Sequence, residues 1–271
     1  MNEKTTKLNY KVFRSSPETF QVVSTVVYGE KDAILFDAQM CLSQAKKVVE
    51  MINSTGKELK SVYITHGHPD HYWGGNIIKE AYPDAKFWAT PRTIDVINRL
   101  QDKEYKQWKP IFGDDIPDEP VIPNAIMADK FEIDGESLEI KRDNQGDVDN
   151  SSYVWIPSME LVIAGDIVYE NVPLWVMETN KEERAHWMKT LDQIQALKPM
   201  IIIGGHGEQN AKNSPEAIKF VKEYLQFYDQ AVAEAKDGED LKARIRKRFP
   251  ELNGLDIILD LTAESAFPKK A

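Results

Sequence analysis

The segment comprising residues 65–71 constrains this chain more than any other feature of its sequence. It reads Thr-His-Gly-His-Pro-Asp-His, so three histidines and one aspartate fall within six consecutive positions. The whole chain has only five histidines. Imidazole nitrogens and carboxylate oxygens are ligands that a borderline cation such as Zn²⁺ binds well. The segment therefore predicts a metal site, in a fold that can hold this turn in place.

The residues before this segment predict how its side chains are directed. Residues 59–64, Leu-Lys-Ser-Val-Tyr-Ile, are typical of a short buried strand. In an extended chain, residues two apart face the same way, so His66 and His68 can reach one ion. Asp70 and His71 follow in a turn, from which they can face a second ion.

Length and composition limit the class of protein. A chain of 271 residues accommodates one large α/β domain or two small ones, and a core of that size does not need disulfides. The single cysteine, Cys41, excludes an internal disulfide framework, and we interpret it as an ordinary small residue. Residues 1–7 lack the apolar stretch of a secretory signal, and no apolar run approaches the ~20 residues of a membrane span. We therefore expect a cytoplasmic protein.

The net charge indicates the class of partner. At pH 7 the formal net charge is −10. A protein this acidic repels nucleic acid and acidic membrane surfaces. We therefore expect a small-molecule substrate, no nucleic-acid partner and no membrane partner.

Strand and helix patterns alternate along the first half of the chain. A helix with Ser43 as its cap is predicted over residues 45–52, and further helices are predicted from about Gly74 and from Thr90. Residues 102–126 contain four prolines and predict a long connection, either a binding lid or a surface loop. Strands are predicted at residues 10–13, 20–28, 33–36, 59–64 and 86–89.

The second half repeats this alternation. Strands are predicted at residues 137–140, 153–156, 161–164 and 200–203, with a helix at 181–197. A C-terminal helix begins near Ser214, which can cap it, and its apolar stripe either packs on the parent domain or forms a dimer seam. The stripe consists of Ile218, Val221, Leu225, Tyr228 and Val232. Strands alternating with helices predict an α/β layered fold.

Four motifs in order give the chain a resemblance to a known family. The His-x-His-x-Asp-His run at residues 66–71 is preceded by Asp37 at the end of a strand. It is followed by Ala-Gly-Asp at residues 164–166 and by Gly-His-Gly at residues 205–207. In order and spacing, these motifs resemble the metallo-β-lactamase fold superfamily. The similarity covers about residues 20 to 210.

The resemblance implies both the architecture and the metal ligands. The fold would be a four-layer αβ/βα sandwich at residues 8–210, with a C-terminal helical extension at 211–271 packed on it. Two Zn²⁺ ions per chain are implied, and Mn²⁺ or Fe is also compatible with the ligands. The implied ligands are His66, His68 and Asp147 for the first ion, Asp70, His71 and His206 for the second, and Asp166 between them. Asp37 would orient a ligand from behind.

Asp147 is where the sequence departs from the family pattern. The family usually places a histidine at this position, whereas residues 146–151 read Gly-Asp-Val-Asp-Asn-Ser. A carboxylate can replace an imidazole as a ligand, and some branches of the superfamily use an acid. Asp149 is the weaker rival for this role. His186 falls on a predicted helix with charged neighbours, so we interpret it as a solvated helix residue.

The implied function is metal-dependent hydrolysis. Two adjacent cations can share a bridging hydroxide, which would attack a small ester, thioester, lactone or amide. Asp70 and Tyr169 are the candidate catalytic residues. Tyr169 follows Asp166 at a spacing similar to that of quorum-quenching lactonases, in which a tyrosine positions the substrate, although an ordinary strand tyrosine also explains it. The alternative function is an iron-dependent oxidoreductase, similar to persulfide dioxygenases or diiron enzymes.

Aromatic residues near the motifs indicate where a substrate pocket opens. Tyr72, Trp73 and Trp175 either line an apolar pocket mouth or pack in the core. Trp155 is better explained as a core residue. No internal repeat or low-complexity segment suggests another function.

Overall fold

The computed structural model describes residues 7–268. Residues 1–6, on which part of the signal-peptide argument rests, and residues 269–271 of the predicted extension lie outside the described residues. The strands are β1 (Asn9–Arg14), β2 (Val23–Tyr28), β3 (Asp32–Phe36), β4 (Glu58–Tyr63), β5 (Lys86–Ala89), β6 (Asn124–Ala125), β7 (Lys130–Ile133), β8 (Glu136–Asn144), β9 (Ser151–Ile156), β10 (Leu161–Glu170) and β11 (Ile201–Gly207). The helices are α1 (Leu42–Asn53), α2 (Gly75–Ala81), α3 (Pro91–Phe112), α4 (Lys181–Ala196), α5 (Glu216–Glu234), α6 (Gly238–Arg248) and α7 (Asp256–Ala266).

The strands form two sheets. The first has the order β1-β2-β3-β4-β5-β6, and the second has the order β11-β10-β9-β8-β7. In the first sheet β3, β4, β5 and β6 run parallel, and in the second only β10 and β11 do. An isolated bridge between Val22 and His206 joins the two sheets at one edge. The segments that follow β4 and the ends of β10 and β11 meet at this edge.

Alternating residues of the central strands pack on opposite faces. In β2, Val23 and Val27 belong to an apolar cluster that also includes residues of the second sheet, whereas Val26 belongs to the cluster that the helices cover. The two-residue period of a strand produces this division, and burial on both faces explains the continuous apolar runs. Two sheets packed face to face with helices outside confirm the predicted four-layer sandwich.

Helix α3 corrects one expectation. The long connection predicted for residues 102–126 is wrong for residues 102–112, which continue the helix as far as Phe112. Pro110 lies in the last turn, so its missing N–H costs the helix one hydrogen bond. Trp108 is 4% exposed and packs edge-on against the ring of Phe20, with a centroid distance of 5.1 Å. The free energy gained by burying Trp108 outweighs the tendency of the prolines to end the helix.

Two predicted helix caps are also wrong. Cys41, not Ser43, is the residue before α1, and it makes no side-chain cap hydrogen bond. The N–H and hydroxyl of Ser43 instead donate to the carboxylate of Asp115, at 2.8 and 2.6 Å. Helix α5 follows Pro215 without a side-chain cap from Ser214. Both serines lie near the start of a helix. Neither is the residue directly before the first helical residue, which is the position from which a side chain caps a helix.

The first C-terminal helix lies against a sheet, and the other two pack on helices. Helix α5 packs on β10 and α4, and four members of its predicted stripe are buried: Ile218, Val221, Leu225 and Tyr228. Helices α6 and α7 contact each other, and α6 also contacts α5. Within residues 7–268, no helix combines the length and the apolar composition needed to cross a bilayer.

Candidate metal centre

The predicted ligands are placed by the ends of three strands. Strand β4 ends at Tyr63, and a short 3₁₀ turn, Pro69–His71, follows it with His68 as the residue before the turn. Asp166 lies within β10, and His206 lies opposite Tyr169 where β11 runs parallel to it. The turn and the two strands therefore direct their side chains to the same place.

Gly165 shows how closely these segments approach. Its φ of +51° is in the left-handed region, and a Cβ at this position would clash with the hydroxyl of Thr65. Only glycine can adopt this positive φ and also leave room for the Thr65 hydroxyl without strain. The Ala-Gly-Asp motif is thus required by contact between β10 and the segment after β4.

The structure brings all seven predicted ligands together in two groups. Within each group, one ligand atom from each residue lies within 4.8 Å of the others. The first group consists of His66, His68, Asp147 and Asp166, and the second consists of Asp70, His71 and His206. His68 Nδ1 lies 3.0 Å from Asp147 Oδ2, so the aspartate occupies the position predicted for the third ligand of the first ion.

Asp166 reaches both groups. Its Oδ2 lies 3.6 Å from His66 Nε2 in the first group and 3.0 Å from His206 Nε2 in the second. Its Oδ1 lies 3.2 Å from His71 Nε2. This geometry suits the bridging role predicted for Asp166. Asp70 Oδ2 also lies 3.3 Å from His206 Nε2.

Buried polar atoms that lack a hydrogen-bond partner indicate whether this set of side chains suits a cation. Four buried atoms of the ligands form no hydrogen bond with any described residue, namely His66 Nε2, His71 Nε2, Asp147 Oδ1 and Asp166 Oδ1. A buried donor or acceptor without a partner costs free energy, about 1–3 kcal/mol for each group. Coordination to divalent cations would satisfy all four. The side chains therefore fit the predicted metal site.

Hydrogen bonds behind the histidines fix their orientation. Asp37 Oδ2 lies 3.0 Å from His71 Nδ1, and the same carboxylate accepts from the N–H and hydroxyl of Thr65, each at 2.8 Å. The hydroxyl of Thr65 lies 3.0 Å from His66 Nδ1. His206 Nδ1 lies 2.6 Å from the carbonyl oxygen of Phe20. In each case the other ring nitrogen is left for a metal, as expected for an imidazole ligand with a partner behind it.

Glu178 supports His68 and was not identified from the sequence. Its Oε2 lies 3.2 Å from His68 Nε2, and its Oε1 accepts from Lys103 Nζ at 2.8 Å. Burial raises the pKa of Glu178, but His68 and Lys103 outweigh burial and lower it to about 2. Glu178 precedes α4 in an irregular segment, so no local pattern marks its role.

Tyr169 lies inside the centre. Its hydroxyl is 2.9 Å from Asp166 Oδ2 and 3.1 Å from Asp147 Oδ2, and its ring stacks on that of His206 at a centroid distance of 5.1 Å. Burial raises the pKa of Tyr169, and the neighbouring carboxylates raise it further, so the hydroxyl keeps its proton. The Tyr169 hydroxyl can therefore donate a hydrogen bond. Its acceptor is one of these carboxylates, or an oxygen of a bound molecule in its place.

The weaker candidates lie elsewhere. Asp149 forms an exposed ion pair with Arg99, and His186 belongs to neither ligand group. Tyr72 and Trp73 are each 1% exposed and pack in the core. Cys41 is buried, and burial raises the pKa of its thiol to about 12, which suits the structural role predicted for it.

A cavity opens beside the two groups. One side of it, which we call the ligand wall, contains His68, Asp70, Asp147, Asp166 and His206, together with Tyr169. The rest of the lining, which we call the apolar wall, consists mainly of Phe20, Met40, Trp108, Trp175, Leu255 and Ile258. Glu104 is the one acidic residue on this side. Of the aromatic residues proposed for a pocket mouth, only Trp175 reaches the cavity.

Comparison with known proteins agrees with this geometry. The family model of the metallo-beta-lactamase superfamily matches residues 17–206. An uncharacterized protein of Bacillus subtilis (strain 168), YobT, is 30% identical over 76 residues. That match covers 28% of this chain and 32% of YobT, so it spans about a third of the relative's length.

Solved structures share the fold at low sequence identity. A metallo-beta-lactamase family protein from Thermus thermophilus superposes with a TM-score of 0.63 at 17% identity, over 96% of this chain and 92% of that one. A beta-lactamase domain protein from Burkholderia ambifaria gives a TM-score of 0.65 at 15% identity, over 96% of this chain and 84% of that one. The family model spans most of the chain and ends at His206, the last predicted ligand. The chain therefore belongs to the metallo-beta-lactamase superfamily, whose members are mostly metallo-hydrolases.

Proposed function

We propose that this protein is a dinuclear zinc hydrolase that cleaves a small ester, thioester, lactone or amide. The observation that carries the proposal is the convergence of seven ligands in two groups, four of whose buried atoms have no other partner. When bound, a pair of cations in such a site supplies an ionised water as nucleophile and polarises the bond to be cleaved.

The side chains around the cavity supply the remaining functions. Tyr169 holds a proton on its hydroxyl at the border between the ligand wall and the cavity, where it can hydrogen bond to a substrate oxygen. Asp70 lines the cavity, and its carboxylate oxygens can accept a hydrogen bond from a bound molecule. The apolar wall excludes water from the bound substrate, which strengthens these electrostatic contacts.

The proposed partner is a small molecule. The cavity is lined by the predicted ligands on one part and by apolar side chains on the rest, as is usual for a small-molecule site. The acidic net charge of −10 also disfavours nucleic acid.

An iron-dependent oxidoreductase is the second candidate, and one observation favours it. Asp147 replaces a nitrogen ligand with an oxygen ligand in the first group, and burial raises its pKa to about 7. A ligand set richer in oxygen binds Zn²⁺ less exclusively and suits Mn²⁺ or Fe better.

Metal analysis of protein purified without added metals separates the two candidates. About two zinc ions per chain, with turnover of an ester, thioester, lactone or amide that a chelator abolishes and zinc restores, would support hydrolysis. Iron with a visible absorption band would favour the oxidoreductase. A site that stays vacant in saturating zinc and manganese would overturn both.

A matched pair of variants tests the least conventional ligand. Asp147→Asn removes the charge of a buried residue in the first group, and Asp149→Asn removes the same charge from an exposed residue two positions away. We expect the first variant to lower metal content and the second to leave it unchanged. Equal metal content in both variants would remove Asp147 from the ligand set.

A further inference from the structure

Glu104 is a buried carboxylate that the proposed metal chemistry does not use. It lies on α3, is 3% exposed and lines the cavity on the side of the apolar wall. Its Oε2 accepts a hydrogen bond from Trp108 Nε1 at 2.7 Å. Among residues 7–268, none donates a hydrogen bond to Oε1. One oxygen of a buried carboxylate is therefore available to a ligand.

The charge of Glu104 is only partly balanced by its surroundings. The residues that line the cavity include no lysine or arginine within the described part of the chain. The neighbouring Lys103 points its Nζ at Glu178, with its side chain 63% exposed. Burial raises the pKa of Glu104, and His68 and Lys103 lower it without outweighing burial, as expected for a carboxylate whose charge is partly compensated.

No structural role of Glu104 in the fold requires its negative charge. Its one hydrogen bond, from Trp108 Nε1, would form equally well to the carbonyl oxygen of a glutamine. Glu104 also belongs to neither ligand group. Since a buried charge that is only partly compensated costs free energy, Glu104 would gain from a cationic partner outside the chain.

The rings beside Glu104 suit a cation. Trp108 packs against Phe20 at a centroid distance of 5.1 Å and against Trp175 at 6.3 Å, and all three line the cavity. The face of an aromatic ring attracts a cationic nitrogen, and tryptophan does so most strongly. A carboxylate at the edge of such a group of rings adds a charge-assisted hydrogen bond.

We propose that the substrate carries a protonated amine, which Glu104 binds beside Trp108 and Trp175 while the bond to be cleaved faces the ligand wall. This inference rests on the proposed hydrolase function and adds the substrate class to it. It also separates this cavity from sites for anionic substrates, which need a lysine or arginine to hold a carboxylate or phosphate.

Two isosteric esters test the proposal on the full-length, zinc-loaded protein. The p-nitrophenyl ester of β-alanine carries an ammonium group where the ester of butyrate carries a methyl group. We expect kcat/KM for the β-alanine ester to exceed that for the butyrate ester by about 10- to 100-fold, the range of a charge-assisted hydrogen bond in a desolvated site. Equal values would overturn the proposal.

A conservative variant assigns the preference to Glu104. Glu104→Gln keeps the shape and the hydrogen bond to Trp108 but removes the charge. We expect the ratio of the two kcat/KM values to fall to near one, mainly through a higher KM for the β-alanine ester. The control is Asp102→Asn, an exposed position two residues away on α3, which should keep the wild-type ratio. An unchanged ratio in Glu104→Gln would contradict the assignment.

Binding without turnover separates this proposal from the hydrolase function. Propylammonium should quench or shift the fluorescence of wild-type protein through Trp108 and Trp175, and should do so much more weakly in Glu104→Gln. Saturable binding by a zinc-loaded protein that cleaves no ester, thioester, lactone or amide would retain the amine site and overturn the hydrolase. Ester cleavage without propylammonium binding would do the reverse.

Discussion

The two walls of the cavity are built in different ways. On the ligand wall, polar side chains come from strands and from the connections beside them. The histidines in and behind this wall, His66, His71 and His206, are each held by a hydrogen bond to the other ring nitrogen. On the apolar wall, side chains come from five separate places between Phe20 and Ile258 and are held by packing. Under the proposed function, the ligand wall could keep its chemistry while the apolar wall changes. Reaction type and substrate choice would then be divided between the two walls.

The largest effect is expected from the ligand wall. The double variant His66→Ala/His68→Ala removes two ligands of the first group and should abolish bound metal. Turnover should fall by more than about 10³-fold, because bound metal lowers the pKa of water from ~15.7 to about 7. Elemental analysis and ester kinetics measure the two effects together.

His186, the histidine that lies outside both groups, supplies the control for the double variant. His186→Ala should retain metal and activity. Activity retained by a metal-free double variant would remove the ligand wall from the mechanism.

The apolar wall should respond in stability rather than in metal content. Ile258 is 6% exposed, and Ile258→Ala should lower the free energy of unfolding by about 2–4 kcal/mol through lost burial and a new cavity. Urea denaturation measures this change. The adjacent Ile257 is 37% exposed, so Ile257→Ala should cost much less. Loss of metal in Ile258→Ala would show that the two walls are not independent.

Glu178 tests how far support of the ligand wall extends. Glu178→Gln removes the charge that His68 Nε2 faces at 3.2 Å, and metal affinity should fall by about 10- to 100-fold. Competition with a chromogenic chelator gives the affinity. Glu182→Gln, an exposed position at the start of α4, should bind metal as the unchanged protein does. Equal affinities for the two variants would leave Glu178 as a surface ion pair with Lys103.

The smallest effect is a graded dependence of stability on pH. Burial lowers the pKa of His206, but Asp166 and Asp70 outweigh burial and raise it from 6.5 to about 10. A histidine with a raised pKa stabilises the fold fully below pH 6.5, and that contribution is lost as the pH rises through about 10. The chelated protein should therefore become less stable between these values.

Zinc should change that dependence, because metal and protons compete for the same imidazole. Thermal unfolding with and without zinc across this pH range measures the difference. A chelated protein whose stability rises over the same range would show that the carboxylates of the ligand wall do not hold a proton on His206.

Much of the fold and of the ligand wall could be predicted because its signals are local. The strand before residues 65–71, the turn that follows and the motifs ending in Asp166 and His206 each occupy a few neighbouring residues. Local spacing fixes which way such side chains point. Strand β10 is longer than predicted, which places Tyr169 beside His206 rather than beyond the strand.

The errors arose where long-range packing overrides local preference. The prolines after residue 102 indicated a loop, but burial of Trp108 against Phe20 extends α3 to Phe112. With that stretch assigned to a loop, the helical spacing of Glu104 and Trp108 was not recognised. Glu178 had no local signal at all, since its contact with His68 spans 110 residues of sequence.

The sequence alone determined the family, the layered sandwich and the side chains that can bind metal, because these depend on short motifs and on strand and helix periodicity. Tertiary structure alone decided that Asp147 lies beside His68 while Asp149 pairs with Arg99. It also decided which residues face the cavity, from Glu104 on α3 to Ile258 on α7. The reason is physical: a strand or turn sets direction over a few residues, whereas a cavity is bounded by whichever distant side chains the packed core leaves beside it.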